Sequence, residues 1–118
     1  MHFRELQVWQ KAKSLAVDLY AETREGQLAR DFGVRDQMRR AAVSIASNIA
    51  EGYGRETVND RCHFMTIAKG SCAELQTQLE IAHETGLLLK EKFALMDGQC
   101  DEVARMLSGL IRSLRAGS

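Results

Sequence analysis

The chain contains no proline among its 118 residues. Proline locks φ and interrupts helix interiors, so its absence leaves few obligatory breaks and favours long helices. No apolar run reaches the roughly eighteen residues that a membrane-spanning helix needs. The opening MHFRELQ lacks the apolar core of a secretory signal, which predicts a cytoplasmic protein. Formal net charge is zero, with 16 basic against 16 acidic residues, so global electrostatics single out no nucleic-acid partner. Cysteine is sparse. Cys62, Cys72 and Cys100 are odd in number and lack Cys-x-x-Cys spacing, the pattern of reduced core thiols in a cytosolic protein. There is no Gly-rich phosphate loop and no Gly-x-Ser-x-Gly turn.

What is present reads as globular, with 45% hydrophobic and 27% charged residues. The length suits one domain over residues 1–118, since domains commonly run about 100–150 residues. Charge is distributed unevenly. From Ala73 to Glu102 the acids Glu74, Glu80, Glu84, Glu91, Asp97, Asp101 and Glu102 outnumber Lys90 and Lys92. Beyond Glu102 the sequence holds Arg105, Arg112 and Arg115 and no further Asp or Glu.

Four stretches carry a helical period, which predicts helices over 6–24, 34–51, 60–85 and 91–114. In the first, Trp9, Ala12, Ala16, Leu19, Tyr20 and Thr23 form the apolar face with Leu15 beside them, which predicts core packing for Trp9 and Tyr20. Gly26 is the expected stop, and 26–33 is the expected loop. The second has Met38, Ala41, Ala42, Ile45 and Ile49 on one face and Gly52 as its stop. Asn59 or Asp60 is placed to cap the third helix. There Phe64, Ala68, Cys72, Leu75, Leu79 and Ala82 step by three or four, and Gly86 closes it. In the fourth, Met96, Cys100, Val103, Leu107, Leu110 and Leu114 follow the spacing of a bundle seam. Nothing alternates like a strand. Short connections between amphipathic helices predict an all-α fold, an antiparallel up-down-up-down four-helix bundle.

Three segments resemble a known family. FRELQVWQKA at 3–12, RRAAVSIASNIAEG at 39–52 and IAKGSCAELQTQL at 67–79 are similar to motifs of the four-helix bundle proteins encoded by intervening sequences of bacterial 23S ribosomal RNA genes, the S23-like proteins. The resemblance covers nearly the whole chain in order. It implies a cytosolic bundle that assembles as a ring-like homopentamer, in a family with no established enzymatic activity. A related branch is the accessory variability protein of diversity-generating retroelements, a basic pentamer that binds nucleic acid and a reverse transcriptase. Where the family carries a proline-containing segment between its first two helices, this chain has QLARDFG at 27–33.

Two residue clusters stand out as candidate sites. Ser44 and Asn48 lie one turn apart on one helix face, and a buried polar group left unpaired costs about 1–3 kcal/mol. Ser71 and Glu74 on the third helix, and Glu51 one turn past Asn48, are the expected partners. Together they make a polar network that fixes helix pairing and register; a ligand role is the alternative. Arg35, Arg39, Arg40, Arg55 and Arg61 form the other cluster. Their planar forks suit the phosphates of RNA or DNA, while ion pairs with Asp36, Glu56 and Asp60 are the plainer role. Glu80 and His83 have the Glu-x-x-His spacing of di-iron bundles, but no second copy exists. Cys62 and His63 are neighbours that point in different directions. No catalytic, metal or cofactor residue is therefore predicted. Leu87, Leu88 and Leu89 at the last turn either cover the bundle end or meet another subunit. The function expected is a non-enzymatic homo-oligomer, an accessory or scaffold protein binding RNA or DNA through a basic surface. A protein-interaction module that binds no nucleic acid is the alternative.

Overall fold

A computed structural model describes residues 1–117. A 3₁₀ turn at Phe3–Glu5 leads into α1 (Gln7–Glu22), α2 (Gly26–Arg30), α3 (Phe32–Tyr53), α4 (Val58–Glu84) and α5 (Lys90–Ala116). Four of these helices are long, and no strand occurs among the described residues. The long helices pack in a cycle, α1 on α3, α3 on α4, α4 on α5 and α5 on α1, in a body of 47 × 20 × 19 Å. None is long and apolar enough to cross a membrane.

The helix ends differ from expectation in instructive ways. The side chain of Asp31 accepts from the Val34 backbone N–H, so α3 starts at Phe32, earlier than the apolar period suggests. For α4 the cap is Thr57, accepting from the Asp60 N–H, and neither Asn59 nor Asp60 serves. Gly26 does not end α1, which stops at Glu22 with Thr23 as its cap; Gly26 has φ +75° and opens α2 inside the expected loop. That short helix forms because Leu28 is drawn into the core. Gly52 does not stop α3 either. The helix runs on through Tyr53, and Gly52 is buried against α4. Gly86 does follow the end of α4, at φ +81°. Its N–H bonds the His83 carbonyl while the Leu87 N–H bonds that of Ala82, the paired pattern that a left-handed residue permits.

One cluster of buried side chains joins the long helices. From α3 it takes Met38, Ala41, Ala42, Ile45 and Ile49, and from α5 Met96, Cys100, Val103 and Leu107. From α1 it takes Val8, Ala12, Leu15 and Leu19, not Trp9 or Tyr20. The buried seam of α1 is thus turned from the face expected. In α4 Met65 is buried and Phe64 only half-buried. Polar contacts fix the register of neighbours. Arg39 reaches Thr23, and Tyr53 reaches Met1. Lys11 pairs with Glu102 at 3.1 Å, and Lys92 with Glu22 at 3.6 Å. Gln76 donates to both Asp97 and Asp101.

Candidate functional site

Because α1 buries Val8, Ala12, Leu15 and Leu19, a second apolar row is left on its flank. Trp9, Lys13, Ala16 and Tyr20 recur every three or four residues there, and Arg24 follows just past the helix end. They face Val43, Ala46, Ser47 and Ala50 of α3 across an open groove of about 580 Å³. Phe3 closes one end, its ring edge-on to Trp9 at 5.1 Å. The groove floor is built of small side chains, and aromatic rings stand at its sides. Val17 and Val43 are 59% and 43% exposed. Lys13 lies over the Trp9 ring, and no carboxylate lines the groove. The apolar period predicts Trp9 and Tyr20 in the core, whereas both are half-buried and line the groove. The signal for the groove lay in the cleaner 8-12-15-19 seam, which would have left those two rings on the flank.

The predicted arginines do not converge. Arg35, Arg39 and Arg40 sit near the start of α3, and Arg55 and Arg61 lie past its end. The helix between Arg40 and Tyr53 spans about 20 Å. Most of these side chains are also engaged. Arg39 donates to the buried Thr23 Oγ1 at 2.8 Å and lies over the Tyr20 ring at 4.4 Å. Arg35 pairs with Asp36, donates to the Ala29 carbonyl and covers Phe32. Arg55 pairs with Glu51 at 2.6 Å and stacks on Phe64. Arg61 donates to the Arg55 carbonyl. Arg40 alone of the five is exposed and makes no such contact among the described residues. Leu110 and Leu114 of α5 share a depression with Arg61 and Tyr53, which brings the Arg112 and Arg115 end of α5 to the same end of the molecule.

The polar cluster is smaller than expected. Ser44 Oγ and Ser71 Oγ are 2.9 Å apart across α3 and α4. Asn48 Nδ2 donates to Ser44 Oγ at 3.0 Å and to the Ser44 carbonyl at 2.8 Å. Glu51 turns to Arg55 instead, because a charged partner one turn away in solvent holds it outside. Glu74 is exposed and joins no bond of the cluster. A three-residue link of this kind pins one helix to its neighbour.

No group of His, Cys, Asp and Glu that could hold a metal ion occurs among the described residues. His83 Nδ1 meets the Leu88 carbonyl at 3.0 Å, and its ring stacks on Phe93. Cys62 is buried, and His63 beside it is exposed. All three thiols are free and buried. Burial pushes the Cys72 thiol from 9.0 up to about 11, against the pull of Lys69. Burial raises Cys100 further still, helped by Cys72, Asp97 and Asp101. Protonated thiols of this kind are poor nucleophiles. Of the leucines at the last turn, Leu88 is buried and Leu89 is 71% exposed.

A family model for the 23S rRNA-intervening sequence protein matches residues 4–109. A crystal structure from the S23 ribosomal protein family of Bacteroides thetaiotaomicron, of a protein with unknown function, superposes with a TM-score of 0.81. It is 22% identical and covers 88% of this chain and 97% of its own, a likeness of fold. No curated protein matches the chain.

Proposed function

The chain belongs to the family of 23S rRNA-intervening sequence proteins, and within it we propose a non-enzymatic, homo-oligomeric scaffold acting in the cytoplasm. Its bundle is antiparallel, up-down-up-down. In support, numbers rise on one helix as they fall on its neighbour: Thr23 with Arg39 and Met1 with Tyr53, then Ser44 with Ser71 and Gly52 with Phe64. Lys11 with Glu102 and Glu22 with Lys92 follow the same rule.

The observation that carries the proposal is the α1/α3 groove. It exposes two valines between aromatic walls, and an alanine-rich floor lets another helix come close. Covering apolar surface is favourable by about 25 cal/mol per Å², and an apolar patch left wet on a small protein marks a contact site. The occupant is a second copy of the chain, in keeping with the homopentamer that the family resemblance implies. Sedimentation velocity tests this. The chain should sediment as an oligomer, and Val17→Asp with Val43→Asp should sediment as a folded monomer. A monomeric wild type, or a variant that assembles unchanged, sinks the proposal.

A second reading, contact with RNA or DNA, rests on Arg61 together with Arg112 and Arg115 of the α5 end, which Leu110 and Leu114 bring to the same end of the molecule. Repeated around an oligomer, such an end multiplies weak phosphate contacts. Fluorescence anisotropy at low and physiological salt checks it. Binding that weakens steeply with salt, and is lost in Arg61→Ala with Arg112→Ala, is the expected result. No binding at low salt removes it.

A further inference from the structure

The outer side of α4 carries a row that the bundle does not use. His63, Ile67, Gly70, Glu74, Thr77 and Ile81 step by four and three, and each is exposed. That is the spacing of a helix stripe that packs against other helices. Single exposed apolar residues are ordinary, but Ile67 and Ile81 stand two heptads apart on one row, 39% and 53% exposed. Glu84 continues the row beyond Ile81 and is also exposed. The row therefore combines apolar knobs with two carboxylates.

Its charge is opposite to that of the groove. Lys13 and Arg24 line the groove with no acid among its walls. Lys13 lies within α1 and Arg24 just past its end, while Glu74 and Glu84 lie about 15 Å apart along α4. Groove against groove would set Lys13 and Arg24 against their own copies, and row against row would oppose glutamates. Both arrangements are repulsive, whereas groove against row pairs opposite charges.

Building on the self-association proposed above, we infer that the α4 row of one copy seats in the α1/α3 groove of the next. The contact is head to tail, so every copy offers one groove and one row. Contacts of that type either close into a ring or extend without limit. Ile67 and Ile81 are the anchors, and the glutamates set which surface is accepted.

Charge reversal tests the pairing on the full chain by sedimentation velocity across a concentration series, with circular dichroism as the folding check. Glu74→Lys with Glu84→Lys, and separately Lys13→Glu with Arg24→Glu, should each raise the assembly midpoint by about tenfold or more. All four positions are exposed, so helix content should not change. Combining the four substitutions in one chain should restore wild-type assembly, because both charges reverse together. Assembly unaffected by either pair, or not restored in the combined variant, overturns the groove-to-row pairing while self-association stands. A wild type that stays monomeric at every concentration overturns self-association itself, and the pairing with it.

Discussion

Gly52 of α3 and Phe64 of α4 approach so closely that a β carbon on Gly52 would lie 2.8 Å from the Phe64 Cβ. It would also lie 3.1 Å from Met65 Cε and 3.2 Å from the Arg61 carbonyl oxygen. The methionine methyl can swing aside, but the other two atoms sit on or next to the α4 backbone. Alanine would gain about 1 kcal/mol of helix propensity over glycine. Against that, forcing extra volume into a packed contact costs typically about 1–3 kcal/mol, and here the helices themselves must part. Gly52→Ala is therefore expected to lower the urea midpoint despite its better propensity. A midpoint equal to or above wild type would mean that α3 and α4 separate easily at this point.

Arg39 differs from its neighbour Arg40 in what it touches. Its Nε donates to Thr23 Oγ1, and that hydroxyl donates in turn to the Leu19 carbonyl at 2.8 Å. Thr23 is fully buried, so the pair joins the end of α1 to the start of α3 away from water. Hydrogen bonds to charged groups contribute about 1.5–3 kcal/mol. Arg39→Ala should lose about that much stability, while Arg40→Ala, on an exposed site, should stay within about 0.5 kcal/mol of wild type. Chemical denaturation of the two variants side by side gives the comparison. Equal effects would remove the special role of Arg39. The contrast also matters for nucleic-acid work, since a defect in an Arg39 variant would mix binding with folding.

Much of the fold was legible because helices that bury one face write that face into the sequence. Met38, Ala41, Ala42, Ile45 and Ile49 lie at a period of three to four, and all are buried. Several misses share a cause: they depended on a partner far away in sequence. A glycine that ends a helix and one that lets two helices touch look alike until Phe64 is in place. α2 is too short to show a period, and only the burial of Leu28 accounts for it. On α1 two rows run one residue apart, Val8, Ala12, Leu15 and Leu19 beside Trp9, Lys13, Ala16 and Tyr20, so the two rings could be assigned to the core or to the groove. The arginines read as one cluster along the sequence, yet the length of α3 separates them. Ser44 with Ser71 was readable from spacing on two helices. That Glu51 leaves them for Arg55 follows from side-chain geometry alone.

The buried thiols give the molecule a pH dependence with a definite sign. In the unfolded chain Cys72 ionises near its ordinary 9.0, whereas folding holds it protonated to about 11. Between those values the unfolded state has released a proton that the folded state keeps. The unfolded state therefore gains as pH rises, and stability falls. Below pH 9 both states are protonated, and the thiol contributes no slope. Cys100, raised further by burial, by Cys72 and by Asp97 and Asp101, acts in the same direction and extends the window upward. The useful quantity is a difference between two chains that share every other group. Wild type and a Cys72→Ala, Cys100→Ala variant should keep a constant gap in urea midpoint from about pH 6 to 8. Above pH 9 the wild type should fall faster and the gap should narrow. A gap that stays constant through pH 11 would mean that the thiols ionise without unfolding, and hence that water reaches the seam between α4 and α5.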